Sequence, residues 1–244
     1  MTRTRSRSLT VSPARCVLLF ARSPREEAAA KRLRGAESFF ASLLRRTAAE
    51  AASLHGVDLL VAGDPRGALP RGAQRIGQDG ATFAERLEGA VAEARRRGYS
   101  EIVVIGSDTP GIRAADLSAA FGLLARHRLV IGPSADGGVF LIGLRADASA
   151  ALEGIPWCTP KVFRELLRAG PDAAVIAAIR PDVDGIDDLR ALLWTGRLAR
   201  PLARLAAAAV RGAHGRASPV FPPITSRLTA SIEAPRPPPA CFSA

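Results

Sequence analysis

Apolar residues in this chain come in short unbroken runs, and that limits the available folds more than any other feature. Residues 16–20, 102–105, 129–131 and 139–144 are each too short for a core helix and lack the alternation of a half-solvated strand. Such runs suit strands buried on both faces, as in parallel sheets covered by helices. Helical patterns stand between them. Phe39, Phe40, Leu43 and Leu44 repeat at helical spacing within a region read as one helix from Glu26 to about Ala52. Thr82 with Glu85 three places on has the form of a capping box, ahead of the apolar face Phe83, Leu87, Ala90, Val91 and Ala94. Further helices are expected over about 114–126, 161–168 and 189–210, and further strands over 57–62 and 175–179. The alternation predicts an α/β three-layer sandwich with a mostly parallel sheet.

With 244 residues, 48% of them hydrophobic, there is room for one sizeable domain, expected over 15–210. The net charge of +11 would suit a nucleic-acid partner if it were concentrated on that domain. Instead residues 1–15 carry +4 and residues 211–244 carry +3, and no aromatic-studded basic stripe runs between them. Nucleic acid is disfavoured. Residues 1–14 read as a disordered extension, and 211–244, rich in Pro, Ser and Ala, as a disordered tail. No run approaches the ~18 apolar residues of a membrane helix. Cys16, Cys158 and Cys241 are odd in number, far apart and without zinc spacing. A cytoplasmic protein with no membrane partner is expected; nothing specifies its oligomeric state.

Several kinds of site are excluded. No Gly-x-Gly-x-x-Gly follows the first strand, and no Walker-type loop ends in Lys-Ser/Thr. His55, His127 and His214 have no plausible Ser or Cys partner. What remains is acidic. Gly106-Ser107-Asp108-Thr109-Pro110 holds a carboxylate at the carboxyl end of an expected central strand, where open α/β sheets gather ligands. Asp136, Asp182 and Asp184 also stand in turns beside strands. Carboxylates gathered at one sheet edge suit Mg²⁺ or Mn²⁺, which prefer oxygen ligands and complete their shells with substrate phosphates. Arg22, Arg25 and Lys31, in and after the first loop, could meet the same phosphates. Each residue also has a plainer reading. Asp108 could stabilise its turn, Asp136-Gly137-Gly138 could be an ordinary tight turn, and Asp184 could cap a helix. Lys31 could be solvated surface, and Trp157 could be packing.

Taken together, these motifs resemble a family. Gly106–Gly111, the stretch Gly-Pro-Ser-Ala-Asp-Gly-Gly-Val-Phe-Leu-Ile-Gly-Leu at 132–144, Trp157-Cys158-Thr159-Pro160 and Asp182-Val183-Asp184-x-x-x-Asp188-Leu189 are similar to DUF2064 proteins. Gln74-x-x-Gly77-Gln78-x-Gly80-x-x-Phe83-x-x-Arg86-Leu87 fits the same group, and the resemblance spans about residues 15–198. That group is glycosyltransferase-A-like, within the nucleotide-diphospho-sugar transferase superfamily. Some members are labelled arsenosugar-biosynthesis glycosyltransferases. The resemblance implies a Rossmann-like glycosyltransferase-A fold and a metal held by Asp108 and Asp184. It implies nucleotide contacts from Arg22, Ser23, Arg25, Gln78, Gly80 and Ser107. Gly137, Gly138 and Trp157 would line the acceptor side, with Asp136 as candidate base and Lys31 supporting developing charge. The first loop, Ala21-Arg22-Ser23-Pro24-Arg25, lacks the glycines common in superfamily nucleotidyltransferases. Partners would be a nucleotide or nucleotide-sugar and a small-molecule acceptor. Three activities stay open: glycosyl transfer, nucleotidyl transfer to a phosphorylated small molecule, and nucleotide binding without catalysis.

Overall fold

The computed structural model describes residues 14–65 and 69–213. The extension expected over 1–14 and the tail expected over 211–244 therefore lie almost wholly outside the described residues. The strands are β1 (Arg15–Phe20), β2 (Asp58–Ala62), β3 (Gln74–Ile76), β4 (Glu101–Gly106), β5 (Leu129–Pro133), β6 (Val139–Arg145) and β7 (Ala174–Val175). The helices are α1 (Pro24–Ala30), α2 (Glu37–Ala52), α3 (Phe83–Arg96), α4 (Ala114–Leu124), α5 (Val162–Ala169), α6 (Ile186–Trp194) and α7 (Arg200–Ala213). One sheet holds the strands in the order β3-β2-β1-β4-β6-β5-β7. It is mostly parallel, as expected, with β6 antiparallel to both of its neighbours. Only residues 134–138 join β5 to β6, too few for a crossover, so β6 has to turn straight back.

Each central strand is buried on both faces. Cys16, Leu18 and Phe20 pack with Leu87, Val91 and Leu166 on the α3–α5 side. Val17 and Leu19 pack with Leu44, Leu117 and Phe121 on the α2–α4 side. A third apolar cluster joins Phe39, Phe40 and Leu43 of α2 to Val183, Leu189 and Leu202. That cluster anchors the 182–184 segment through fully buried Val183, which leaves Asp182 and Asp184 on either side of it.

The helical region expected over 26–52 is broken in two. Leu33 N–H donates to Ala28 O at 2.8 Å and Arg32 N–H to Ala29 O at 3.0 Å, the paired bonds of a Schellman ending. Arg32 takes the left-handed conformation there (φ 55°), a position that glycine usually fills. The region expected over 189–210 is likewise divided into α6 and α7, with Gly196 at φ 63°. β7 covers two residues rather than 175–179, and β3 is a strand that was not among those expected.

Candidate active site

The chain leaves β1 toward β2 and β3, then returns to β4 on the other side of β1. Loops after β1 and β4 consequently diverge and open a crevice at the carboxyl edge. Because β6 is antiparallel, its first residues and the preceding turn reach the same edge. A cleft of about 180 Å³ results, lined by Arg22, Glu27, Lys31, Asp108, Asp136, Asp182 and Asp184, among others.

Lys31 is the hub of these charges. It caps the carboxyl end of α1, is 6% exposed, and places Nζ 2.9 Å from Asp108 Oδ2 and 2.5 Å from Asp184 Oδ1. Glu27, one turn earlier on α1, lies 3.6 Å from the same ammonium. Burial alone would lower the Lys31 pKa; Asp108, Asp184 and Glu27 outweigh it and hold the ammonium above its ordinary value. One cation cannot neutralise the whole set. Burial, then the charge of Asp108, pushes Glu27 up to about 7, against the pull of Lys31 and Arg22. Burial, then the charges of Asp108, Asp184 and Asp136, pushes Asp182 up to about 8. Asp184 is also raised, chiefly by burial, with Lys31 opposing. Half-buried Arg22 is lowered by burial, with Glu27 opposing.

Asp136, Asp182 and Asp184 offer carboxylate oxygens that all lie within 4.8 Å of one another. Three oxygen donors, in a cleft with more acid than base, fit a hard divalent cation. Asp108, expected with Asp184 as a metal ligand, adjoins this cluster and is held by Lys31. Asp136, expected as a base on the acceptor side, stands within the cluster; its Oδ1 also accepts from Gly138 N–H at 3.0 Å.

The other expected residues divide. Ser107, Gly138 and Trp157 line the cleft. Ser23, Arg25, Gln78, Gly80 and Gly137 do not. Ser23 is the N-cap of α1, in a capping box with Glu26. Arg25 is exposed beside Glu37 and Ser38. Gln78 donates to Ala21 O at 3.2 Å and Ala62 O at 2.7 Å, tying the ends of β1 and β2 together. Gly80 (φ 139°) passes so close to α3 that a Cβ would stand 2.7 Å from Glu85 Cβ. Gly137 (φ 89°) packs on Pro160, where a Cβ would meet the carbonyl oxygen at 2.3 Å. Glu27 and the aromatic residues Phe20 and Phe83 were missed as cleft residues. The Glu27–Lys31 spacing of four was the available signal, and it reads equally as a solvated helix pair.

Residues 40–159 match the family DUF2064, described as uncharacterised proteins conserved in bacteria. The chain is a DUF2064 protein. A protein of Desulfovibrio desulfuricans G20, provisionally assigned as a nucleotide-diphospho-sugar transferase, superposes with a TM-score of 0.69. It is 24% identical, over 83% of this chain and 99% of that one. Rv0371c of Mycobacterium tuberculosis H37Rv, solved in complex with manganese, superposes with a TM-score of 0.51 at 18% identity, over 74% and 98% of the two chains. These likenesses establish the fold, an α/β sandwich around a mostly parallel sheet, as expected. Among curated proteins, the 3-phospho-D-glycerate guanylyltransferase of Phenylobacterium zucineum (strain HLK1) is 42% identical over 59 residues. Those residues are 24% of this chain and 27% of that one, so the match spans about a quarter of the relative's length. Among the described residues, no helix is long and apolar enough to cross a membrane.

Proposed function

We propose that this DUF2064 protein is a metal-dependent nucleotidyltransferase. In this reading it joins a nucleoside monophosphate, taken from a nucleoside triphosphate, to a small-molecule acceptor. The observation that carries the reading is the convergence of Asp136, Asp182 and Asp184 beside the Lys31–Asp108 pair at the switch point of the sheet. Of the two transfers that the family resemblance implied, the similarity to a guanylyltransferase favours nucleotidyl over glycosyl transfer.

Asp136, Asp182 and Asp184 would hold Mg²⁺ or Mn²⁺, with Asp108 alongside. The ion would supply charge neutralisation for the triphosphate. Lys31 fixes Asp108 and Asp184 by direct contact, so two acidic side chains stay oriented before any ligand arrives. Arg22, in the loop after β1, also lines the cleft and could meet phosphate oxygens. An acceptor phosphate oxygen would attack the α-phosphorus, and pyrophosphate would leave with the electron pair of the broken bond. A phosphate nucleophile is already ionised near neutrality, so the reaction asks little of a base.

The test is pyrophosphate release with each of the four nucleoside triphosphates, with and without Mn²⁺, over a panel of phosphorylated acceptors. Asp184→Asn is expected to lower release at least ~100-fold, by removing stabilisation of the transferring phosphoryl group. Metal-dependent release of a nucleoside diphosphate from a nucleotide-sugar, with no pyrophosphate from any triphosphate, would replace this reading by glycosyl transfer. Nucleotide binding with neither product would point to a non-catalytic binder.

A further inference from the structure

The segment that carries Asp182 and Asp184 belongs to no regular strand, so individual contacts have to fix its place. Downstream, Asp188 accepts from the N–H groups of Asp184 and Gly185. In the middle, buried Val183 donates its N–H to Asp108 O at 3.0 Å. Upstream the chain strays from the sheet. Val175 pairs with Ile131 and Arg180 with Ser134, so the edge uses five residues where β5 advances by three. Ile179, in that excursion, is 61% exposed. Arg180 is where the chain rejoins the sheet, two residues before Asp182.

Arg180 makes more than a backbone contact there. Its N–H donates to Pro133 O at 3.3 Å, and its Nη2 donates to Asp116 Oδ1 at 2.8 Å. Asp116 is a buried residue in the first turn of α4. Among the described residues it is the only acid within ion-pair distance of Arg180. The arginine arm crosses Gly111, where a Cβ would stand 3.2 Å from Arg180 Cδ. Arg180 therefore packs on the loop of Asp108, pairs with Ser134 just before Asp136, and opens the segment of Asp182 and Asp184.

We propose that Arg180 is a positioning residue for the acidic centre. Held by Asp116 and seated on Gly111, it fixes the start of the 180–184 segment. It thereby sets the spacing of Asp182 and Asp184 from Asp136 before a cation arrives. Arg180 does not line the cleft and acts only through this backbone. The inference rests on the reading of that centre as a metal site.

The fold supplies a matched control for a pair that merely stabilises. Arg15 and Glu101 also meet at 2.8 Å, with side chains 35% and 8% exposed against 29% and 8% for Arg180 and Asp116. That pair stands at the amino ends of β1 and β4, away from the carboxyl edge. The test compares Arg180→Met with Arg15→Met in the full chain. Mn²⁺ binding is followed by electron paramagnetic resonance with GTP present, and amide exchange is followed residue by residue without metal. Both substitutions should lower the thermal midpoint. Arg180→Met alone should weaken Mn²⁺ binding about tenfold, as loss of an outer partner does at metal sites. It alone should also speed exchange of the Val183 N–H at least ~10-fold relative to that of Val103, in the middle of β4. Asp116→Asn keeps the partner's shape without its charge; it should act alike, and decides the matter if Arg180→Met does not fold. Parent-like Mn²⁺ affinity or parent-like Val183 exchange in the folded variant, or equal weakening by Arg15→Met, would overturn the proposal. Failure of the metal reading looks different: the parent itself binds no Mn²⁺, while Val183 exchange, measured without metal, still decides whether Arg180 fixes the segment.

Discussion

Lys31 shows how much one buried charge can organise. It stands among Glu27, Asp108 and Asp184 and is itself nearly inaccessible, so removing it leaves three carboxylates facing one another without their shared cation. Breaking a buried ion pair from one side costs about 3–5 kcal/mol. Lys31→Met is accordingly expected to lower the thermal midpoint markedly, and Mn²⁺ should restore part of the loss by supplying the missing positive charge. A variant as stable as the parent would contradict the hub role. Tyr99 carries a second prediction. Its hydroxyl donates to Asp58 Oδ2 at 2.6 Å, and burial followed by that bond pushes its pKa up to about 12. Cys16, raised to about 12 chiefly by burial, behaves alike. In the unfolded chain these groups lose protons near 10 and 8.5. Between those values and 12 the folded state binds more protons than the unfolded one, so stability falls as pH rises. Above pH 10, Tyr99 alone adds a slope of up to about 1.4 kcal/mol per pH unit. Urea unfolding at pH 8, 10 and 11 should show a shallower alkaline loss in Tyr99→Phe than in the parent; an unchanged slope would remove Tyr99 from the account.

At the level of elements, the α1–α2 break sets the site, because it ends α1 at Lys31. The turn uses Arg32 in the left-handed region, which costs a residue with a Cβ about 1 kcal/mol or more. Arg32→Gly should therefore hold or raise stability by up to about 1 kcal/mol in thermal unfolding, despite glycine's usual penalty near helices. A loss of that size would show that the arginine side chain matters more than its backbone. The same turn explains why the break was hard to read in the sequence: the left-handed position that ends α1 is Arg32 rather than a glycine, and the signal of Gly35 three residues on was overridden by the helical spacing of Phe39, Phe40, Leu43 and Leu44. The α3 start was legible for the opposite reason. Thr82 and Glu85 form the capping box that their spacing announces, with Glu85 N–H to Thr82 Oγ1 at 3.2 Å. Gly196 marked the α6–α7 turn openly, and its signal was overridden by the apolar periodicity on either side.

For the molecule as a whole, the layered sheet followed from its apolar runs, since a strand buried on both faces has few alternatives. Strand direction did not. An apolar run reads the same in either direction, and only the shortness of the 134–138 link indicates that β6 turns back. That reversal brings Asp136 and Val139 to the crevice edge, and so to the cleft that Phe20, Phe83 and Trp157 also line. The sequence therefore pointed to Asp108, Asp136, Asp182 and Asp184 singly, by their turns. It could not rank them, because the grouping of Asp136 with Asp182 and Asp184 depends on two loops, distant in sequence, meeting in space. Glu27 and Phe83 were hidden in ordinary helical patterns, where a cleft residue and a packing residue look alike.

The most direct measurement is Mn²⁺ binding followed by electron paramagnetic resonance, through loss of the free-ion signal, with GTP present. One tightly bound ion per chain is predicted for the parent. Asp182→Asn and Asp184→Asn should each weaken it at least ~10-fold, as loss of a carboxylate ligand implies. Undiminished Mn²⁺ binding by both variants, or none by the parent at any nucleotide concentration, would contradict the assignment of the Asp136–Asp182–Asp184 cluster as the metal–nucleotide centre.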